Sequence, residues 1–265
     1  MRFRVLGPLS AEGDDGTPLA LARPSQRSTL AVLLLHAAHP PARTDLIEML
    51  WGDRPPAAAD TALRVRIREV RRALAVPDRL ITRYSGYQIM IQPGELDAAS
   101  FRDLTARGRA ALDGSRAEDA ARLMEQACGL WRDPPLADLP DTPLMSLLAA
   151  SLLEQRRDAE ELLIDARLAL GQDHEALARA RELVAADALR EHSHVQLMLA
   201  LYRCGQKAAA LAAYTRLREV TVRELGQDPG PEAQGLLGQI LSDRPDLMFR
   251  PRLVGRPAAT MPCAR

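Results

Sequence analysis

The chain has 265 residues, of which 47% are hydrophobic and 26% charged, and its 35 basic and 35 acidic side chains cancel. This length can bury a sizeable core and predicts two domains. The longest apolar run, residues 30–35, is far shorter than the roughly 20 residues of a membrane-spanning helix, and the N-terminus has no signal-peptide pattern. Three widely separated cysteines are typical of reduced thiols. We therefore expect a folded, cytoplasmic protein that does not enter a membrane.

The neutral total conceals an uneven distribution of charge. Residues 1–96 carry 13 basic and 10 acidic side chains, residues 97–241 carry 17 and 23, and residues 242–265 carry 5 and 2. These segments have net charges of +3, −6 and +3, which sum to zero. Residues 56–72 hold five arginines against two acidic residues, which equals the whole excess of the first segment. Basic charge is thus concentrated on one element.

The first part of the chain, residues 1–93, predicts small strands followed by three helices and a hairpin. Alternating runs at residues 2–6, 9–12 and 18–21 indicate short antiparallel strands. The first helix is expected from Pro24 to about residue 38, and the second from an N-cap at Thr44 to Gly52. After the third helix, residues 80–91 predict a β-hairpin in which Gly86 supplies the turn. A hairpin that follows a helix-turn-helix predicts a winged helix.

The third helix has one apolar stripe and one basic face. Its apolar residues recur at i, i+4, i+7 and i+11, which at about 100° per residue places them on one side: Leu63, Ile67, Val70 and Leu74. Across the helix, the same wheel groups Arg64, Arg68, Arg71 and Arg72, whereas Arg66 lies on the other flank beside Glu69. The pattern predicts a buried stripe and an exposed arginine face.

Arginine on a helix suits DNA, because a helix fits the major groove and the guanidinium fork can bond guanine O6 and N7 or phosphate oxygens. The alternative to DNA binding is a charged face that is only solvated, or that forms ion pairs within the helix, such as Arg66 with Asp60 or Glu69. The flanking helix and hairpin favour the DNA-binding interpretation.

From residue 97 to residue 241 the sequence predicts an all-α array. Helices are expected at about residues 98–112, 116–131, 141–170, 174–186, 191–204 and 207–225. Residues recur at a spacing of 34, as in Gly171 with Gly205 and Leu183 with Leu217, which is the tetratricopeptide period; residues from Gly114 onward form a weaker first copy. Residues 242–265 are rich in proline and arginine and predict a flexible tail.

Three motifs occur in order and carry a resemblance: residues 43–52, 61–74 and 82–87. Together they resemble the response-regulator-type winged helix of the Streptomyces antibiotic regulatory protein family. Residues 95–97, 127–131, 136–138, 197–205, 224–226 and 229–231 are similar to the bacterial transcriptional activation domain of the same family. The expected fold is therefore mainly α with small β elements, a winged helix-turn-helix followed by an all-α tetratricopeptide-like domain.

The resemblance implies a sequence-specific transcriptional activator. Such regulators bind direct repeats in promoter DNA, form a homodimer there, recruit RNA polymerase including its sigma subunit, and switch on antibiotic gene clusters; the protein would be nucleoid-associated. The third helix would enter the major groove and the hairpin the neighbouring minor groove or backbone. The expected contacts are Arg64, Arg68 and Arg71 on bases, Arg72 on phosphate, and Arg83 and Tyr87 at the hairpin. An alternative for Tyr87 is a strand residue packed on the third helix.

Catalytic motifs are missing from the sequence. There is no phosphate-binding loop ending in Gly-Lys-Ser or Gly-Lys-Thr and no Gly-x-Ser-x-Gly elbow, and His192 and His194 have the wrong spacing to share a metal on a helix. We expect no enzymatic activity, no cofactor and no metal, and no receiver domain ahead of the strands. The alternative function is a tetratricopeptide-like protein-interaction scaffold with weak or non-specific DNA binding.

Overall fold

The computed structural model describes residues 1–248 and is mainly helical, with two small antiparallel sheets. It divides into two compact units, Met1–Leu162 and Leu163–Arg265, whose boundary falls between consecutive residues of one helix. The elements of the first unit are β1 Arg2–Arg4, β2 Ser10–Glu12, α1 Pro24–Leu35, α2 Arg43–Trp51, α3 Ala59–Leu74, β3 Leu80–Thr82, β4 Tyr87–Ile89, α4 Asp97–Asp113 and α5 Ala117–Cys128. Then follow α6 Pro143–Ala169, which contains the boundary, α7 Asp173–Ala186, α8 Glu191–Arg203, α9 Lys207–Leu225 and α10 Pro231–Leu241.

The N-terminal sheet has two strands where the sequence predicts three. β1 and β2 pair antiparallel with Phe3 opposite Ala11, and Phe3 is fully buried. The third predicted strand, residues 18–21, is wrong: it is reduced to a single bridge between Glu12 and Pro18, with Leu19 N–H donating to the Ala11 carbonyl at 2.8 Å. Proline has no amide hydrogen, so Pro18 cannot extend the ladder.

Helices α1, α2 and α3 follow, and the predicted stripe of α3 is confirmed. Leu63, Ile67, Val70 and Leu74 are all at most 1% exposed. The prediction of Thr44 as the N-cap of α2 is wrong, because the helix begins at Arg43 and its N-cap is Ala42, two residues before Thr44. Asp45 accepts the Ala42 N–H at 3.3 Å. A side chain at the third helical position can reach back in this way, which makes Thr44 unnecessary as a cap.

The hairpin β3–β4 is closed by a four-residue loop, residues 83–86, between the pair Thr82 and Tyr87. Gly86 is not in the left-handed region that a turn glycine usually supplies. It is needed for a close approach instead, because a Cβ there would lie 2.5 Å from the Pro41 carbonyl oxygen. Gly86 bridges to Ala42, and Arg43 N–H donates to the Ser85 carbonyl at 2.7 Å. The loop is therefore fastened to the start of α2.

The strand β1 is tied to the beginning of α4 within the first unit. Phe3 N–H donates to the Glu95 carbonyl at 2.6 Å, and the Asp97 carboxylate accepts Val5 N–H at 2.9 Å and Leu6 N–H at 3.1 Å. Burial raises the pKa of Asp97, although these N–H groups oppose the shift. The first compact unit consequently extends past residue 93 into α4 and α5, and the predicted domain ranges 1–93 and 97–241 stay predictions.

The helical repeat has the same backbone geometry at each predicted turn. Gly171 and Gly205 have φ of 72° and 75°, and the N–H one residue later closes a 2.9 Å bond onto the carbonyl five residues before it. In the first copy Ser115 takes this place with φ 56°, whereas Gly114 is at −82°. The register of the weak first copy is thus one residue later than the sequence alignment on Gly114 indicates.

The second unit has a continuous apolar core to which the missed helix α10 contributes. Pro231 begins α10, and Ala233, Leu236 and Ile240 are buried in that core. This helix could have been predicted from the sequence, because a proline in the first turn and apolar residues at i, i+3 and i+7 are typical of a helix. The tail prediction needs a correction for its first residues: Leu247 is 8% exposed and packs into the same core. Residues 249–265 lie outside the described residues.

Across residues 1–248, no helix is both long and apolar enough to span a membrane.

Glu95 joins three parts of the first unit. Its carboxylate accepts two bonds from Arg79, at 2.7 and 2.8 Å, one from Gln92 N–H at 2.7 Å and one from the Met1 amino group at 3.0 Å. Burial alone would raise the pKa of Glu95, but these donors stabilise the carboxylate and lower the pKa overall. The ionised Glu95 carboxylate therefore stabilises the folded state. This stabilisation is present above the unfolded-state pKa and is lost as pH falls through the folded-state pKa.

Glu95→Gln is therefore expected to lower the free energy of unfolding of the first unit by about 1–2 kcal/mol at pH 7. It should also reduce the stability that is lost on acidification from roughly pH 5 to pH 3. Both tryptophans, Trp51 and Trp131, lie in this unit, so urea unfolding followed by tryptophan fluorescence reports on it. Glu48→Gln, at an exposed position, is the control and should change little. If the free energy of unfolding of Glu95→Gln fell with pH as much as that of wild type, the ionised Glu95 carboxylate would not be a source of this stability.

Gly86→Ala is expected to destabilise the first unit by about 1–3 kcal/mol, because the added Cβ must displace the Pro41 backbone. Amide hydrogen exchange should show loss of protection at Arg43, whose N–H bonds the loop. Ser85→Ala, at an exposed position in the same loop, is the matched control and should stay within about 0.5 kcal/mol of wild type. Unchanged protection at Arg43 in Gly86→Ala would show that the close approach imposes no constraint.

Candidate nucleic-acid interface

Three of the predicted contact arginines form an exposed face on α3. Arg64, Arg68 and Arg72 are exposed, and within residues 1–248 no hydrogen bond or ion pair engages their guanidinium groups. They lie opposite the buried stripe, whose packing in the first unit sets the rotation of the helix. The three guanidinium groups therefore project from one side of the helix with their donors available to an external acceptor.

Arg71 has a different environment from the other predicted contacts. Its Nε donates to the Leu80 carbonyl at 2.7 Å and its terminal nitrogen donates to Thr82 Oγ1 at 2.8 Å. On the helical wheel Arg71 lies roughly 40° from Ile67, at the edge of the buried stripe, so its side chain meets β3. The geometry is that of a bridge between α3 and the hairpin.

Tyr87 is also internal, with 4% of its surface exposed. The guanidinium carbons of Arg43 and Arg71 each lie 5.9 Å from the centre of its ring, within the range of cation–π attraction. The structure thus places Tyr87 as a packed strand residue, the second of the two interpretations that the sequence allows.

The loop of the hairpin carries two side chains of interest. The predicted contact Arg83 is exposed and donates from Nε to Gln88 Oε1 at 2.9 Å. Tyr84 is fully exposed, and sequence reasoning missed it. The exposure of Tyr84 could have been predicted from its position in the middle of the turn, because no neighbouring strand covers a side chain there. Arg83 and Tyr84 together form the tip of the hairpin.

The two acidic residues of α3 pair with arginines outside the exposed face. Asp60 lies 3.7 Å from Arg43, and Glu69 forms an ion pair with Arg23. Arg66, which the alternative interpretation would pair with one of them, stacks on the Trp51 ring at 4.0 Å. Partial burial lowers the pKa of Arg66. Glu69 attracts Arg66 electrostatically without a contact short enough for an ion pair, and neither Asp60 nor Glu69 pairs with Arg64, Arg68 or Arg72.

A further exposed residue lies among the arginines. Val65 is 46% exposed, although valine is usually buried, and it is adjacent on the helical wheel to Arg68 and Arg72. Sequence reasoning missed it because it looked for basic residues alone. The exposed face of α3 therefore presents an apolar group beside its guanidinium groups, and apolar side chains can contact the thymine methyl group.

Among the described residues, no group of three or more His, Cys, Asp or Glu side chains could hold a metal ion.

Comparison with known proteins places these features in a family. The family model of the bacterial transcriptional activator domain matches residues 96–241. The regulatory protein AfsR of Streptomyces coelicolor is 37% identical over 248 residues, which are 93% of this chain and 25% of AfsR. The chain thus spans about a quarter of the length of that relative. The regulatory protein DnrI of Streptomyces peucetius is 31% identical over 93% of this chain and 94% of DnrI.

A solved structure shows the same fold. The structure of Mycobacterium tuberculosis EmbR in complex with a low-affinity phosphopeptide is similar with a TM-score of 0.84 and 30% identity, over 92% of this chain and 65% of the EmbR chain. EmbR is a transcriptional regulatory protein by name. With a domain match over more than half of its length and a relative that matches almost end to end, the chain belongs to the Streptomyces antibiotic regulatory protein family of transcriptional regulators.

Proposed function

We propose that this protein is a sequence-specific DNA-binding transcriptional activator in which residues 1–93 act as a winged helix-turn-helix. The observation that carries the proposal is the exposed face of α3, with Arg64, Arg68 and Arg72 unpaired among the described residues. An isolated guanidinium group without an acidic partner attracts phosphate and base acceptors, because its five donors are available. The proposal includes no catalytic step and no cofactor.

In the proposed complex α3 enters the major groove, and its exposed residues contact different parts of the DNA. Arg64 and Arg68 reach base edges, where each can bond guanine O6 and N7, and Val65 contacts a thymine methyl group. Arg72, near the end of the helix, contacts a phosphate. The buried stripe holds the helix at one rotation, which sets these side chains relative to the groove.

Arg71 and Tyr87 act in the proposal as positioning residues. Arg71 fixes the hairpin to α3 through Leu80 and Thr82, and the Tyr87 ring packs beneath it. The hairpin tip is thereby held at a set distance from α3. Arg83 and Tyr84, at that tip, contact the backbone or the minor groove next to the groove that α3 enters.

The biological role is inferred from the family. We assign the protein to pathway-specific activation of a secondary-metabolite gene cluster, through direct repeats near a promoter that two copies occupy as a homodimer. The tetratricopeptide-like helices would support self-association and contact RNA polymerase including its sigma subunit, which makes the protein nucleoid-associated when active. The near end-to-end match to DnrI and the activator-domain match support this role.

Arg64→Ala and Arg68→Ala are expected to lower affinity for the specific site by about 1–3 kcal/mol each, because each removes a forked base contact. Affinity for an unrelated duplex should fall much less. A gel-shift titration against the protein's own upstream region, with competitor DNA, measures both quantities. Arg109→Ala, which replaces an exposed arginine on α4, is the matched control and should leave the ratio of specific to non-specific affinity unchanged.

The opposite result has a clear meaning. Weak binding to any duplex, indifferent to Arg64→Ala and Arg68→Ala, would contradict specific recognition by α3. It would favour the interaction scaffold, in which the helical array is the working part.

Arg72→Ala is expected to weaken specific and non-specific binding about equally, because a phosphate contact carries no sequence information. The slope of log K against log salt concentration should decrease in magnitude by about 0.9, the value for one released counterion. Binding measured from low to physiological salt by fluorescence anisotropy gives this slope. The Arg109→Ala control should keep the wild-type slope, and a wild-type slope in Arg72→Ala would exclude the phosphate contact.

A further inference from the structure

Gln88 lies between two buried residues of β4, and its own side chain is on the opposite side of the strand. Tyr87 and Ile89 are 4% and 1% exposed, whereas Gln88 is half-buried. Gln88 is paired in register with Ile81 of β3. Because Arg83 follows Ile81 by two residues, its side chain leaves the backbone on the same side of the hairpin as that of Gln88.

The side-chain amide of Gln88 joins the end of α1 to the hairpin. Its Nε2 donates to the Ala37 carbonyl oxygen at 3.3 Å, and its Oε1 accepts from Arg83 Nε at 2.9 Å. These two bonds fix one orientation of the amide, because the reversed orientation would place donor against donor and acceptor against acceptor. Arg83 is therefore connected through Gln88 to the residues that follow α1.

The bond to Gln88 uses the inner nitrogen of the Arg83 guanidinium group and leaves the two terminal nitrogens. Among the described residues, no carboxylate pairs with Arg83, and no acceptor bonds its terminal nitrogens. The terminal nitrogens carry most of the five N–H donors of a guanidinium group. The side chain is thus restrained while most of its donors stay available to a ligand.

A restrained arginine binds an acceptor at a lower entropic cost than a mobile one. An arginine side chain without a partner loses rotamer freedom when it binds. The bond from Nε to Gln88 limits this freedom before any ligand arrives. The three arginines of the exposed face of α3 have no such bond within residues 1–248. The hairpin arginine therefore differs from them in being held in advance.

We propose that Gln88 is a positioning residue for DNA binding and that it acts through Arg83. This inference rests on the proposed function, because it assigns Gln88 a role at the DNA contact of the hairpin. Gln88 holds the terminal nitrogens of Arg83 for an acceptor next to the groove that α3 enters. That acceptor is a phosphate oxygen or the minor-groove edge of a base, and both accept hydrogen bonds from a guanidinium group.

A double-mutant cycle on DNA affinity tests whether Gln88 acts through Arg83. Gln88→Met keeps a side chain of similar length and removes the amide, and it should lower affinity for a duplex from the protein's own upstream region about fivefold, the cost of ordering one arginine side chain. Arg83→Ala should lower this affinity about tenfold. In the Arg83→Ala background, Gln88→Met should have no further effect, because no guanidinium group is left to hold. Fluorescence anisotropy with the full chain measures all four affinities.

Gln92→Met is the matched control for the loss of a glutamine amide. Gln92 is exposed, and in the described part of the chain its side chain forms no hydrogen bond. This variant should bind the duplex as wild type does. Circular dichroism establishes that each variant keeps the helical fold.

Modified duplexes distinguish the two acceptors. Inosine in place of guanine removes the N2 amino group from the minor groove and leaves O6 and N7, which face the major groove. If Arg83 contacts a base edge, inosine next to the α3 contacts should raise the affinity of wild type and not that of Arg83→Ala. If Arg83 contacts a phosphate, inosine should have no effect, and Arg83→Ala should decrease the magnitude of the salt slope by about 0.9.

Two results would overturn the inference. An equal loss of affinity from Gln88→Met in the wild-type and Arg83→Ala backgrounds would show that Gln88 acts on the fold and not through Arg83. Wild-type affinity in Gln88→Met would show that the bond to Arg83 has no part in DNA binding. Neither result touches the proposed function, as long as Arg64→Ala still lowers specific affinity; an Arg64→Ala protein that binds as wild type does would contradict the proposed function and, with it, this inference.

Discussion

The burial of one apolar stripe on α3 determines what the rest of the first unit can do. Leu63, Ile67, Val70 and Leu74 are removed from water, at about 1.5–3 kcal/mol for each large side chain. A helix anchored by four such residues cannot rotate without exposing them. The opposite side, with Arg64, Arg68 and Arg72, is therefore held toward solvent by the hydrophobic effect rather than by any contact of its own.

The same rotation gives the five arginines of this helix three different roles. At one edge of the stripe Arg71 meets β3, and at the other edge Arg66 meets Trp51, so both are used inside the protein. The three between them have no intramolecular partner in the described chain. The net charge of residues 56–72 is +3. This number does not show where the unpaired arginines lie, because Asp60 and Glu69 pair with arginines outside this helix.

Periodic features could be predicted from the sequence, and contacts between elements could not. The stripe of α3 and most helices follow from apolar spacing, which is a local property. The roles of Arg71 and Tyr87 depend on where the hairpin packs, and the need for Gly86 depends on the Pro41 backbone, which is distant in sequence. The predicted base contact at Arg71 is reassigned in the proposal for this reason, since wheel position alone does not reveal that β3 lies beside it.

The central claim is that the arginine face of α3 reads base edges in the major groove, and methylation interference tests it most directly. Dimethyl sulfate methylates guanine N7, an acceptor that faces the major groove and that Arg64 and Arg68 are proposed to bond. A promoter fragment methylated before binding should lose affinity when particular guanines in each of the proposed direct repeats are modified. Full binding to fragments methylated at every guanine of the bound site would contradict the account.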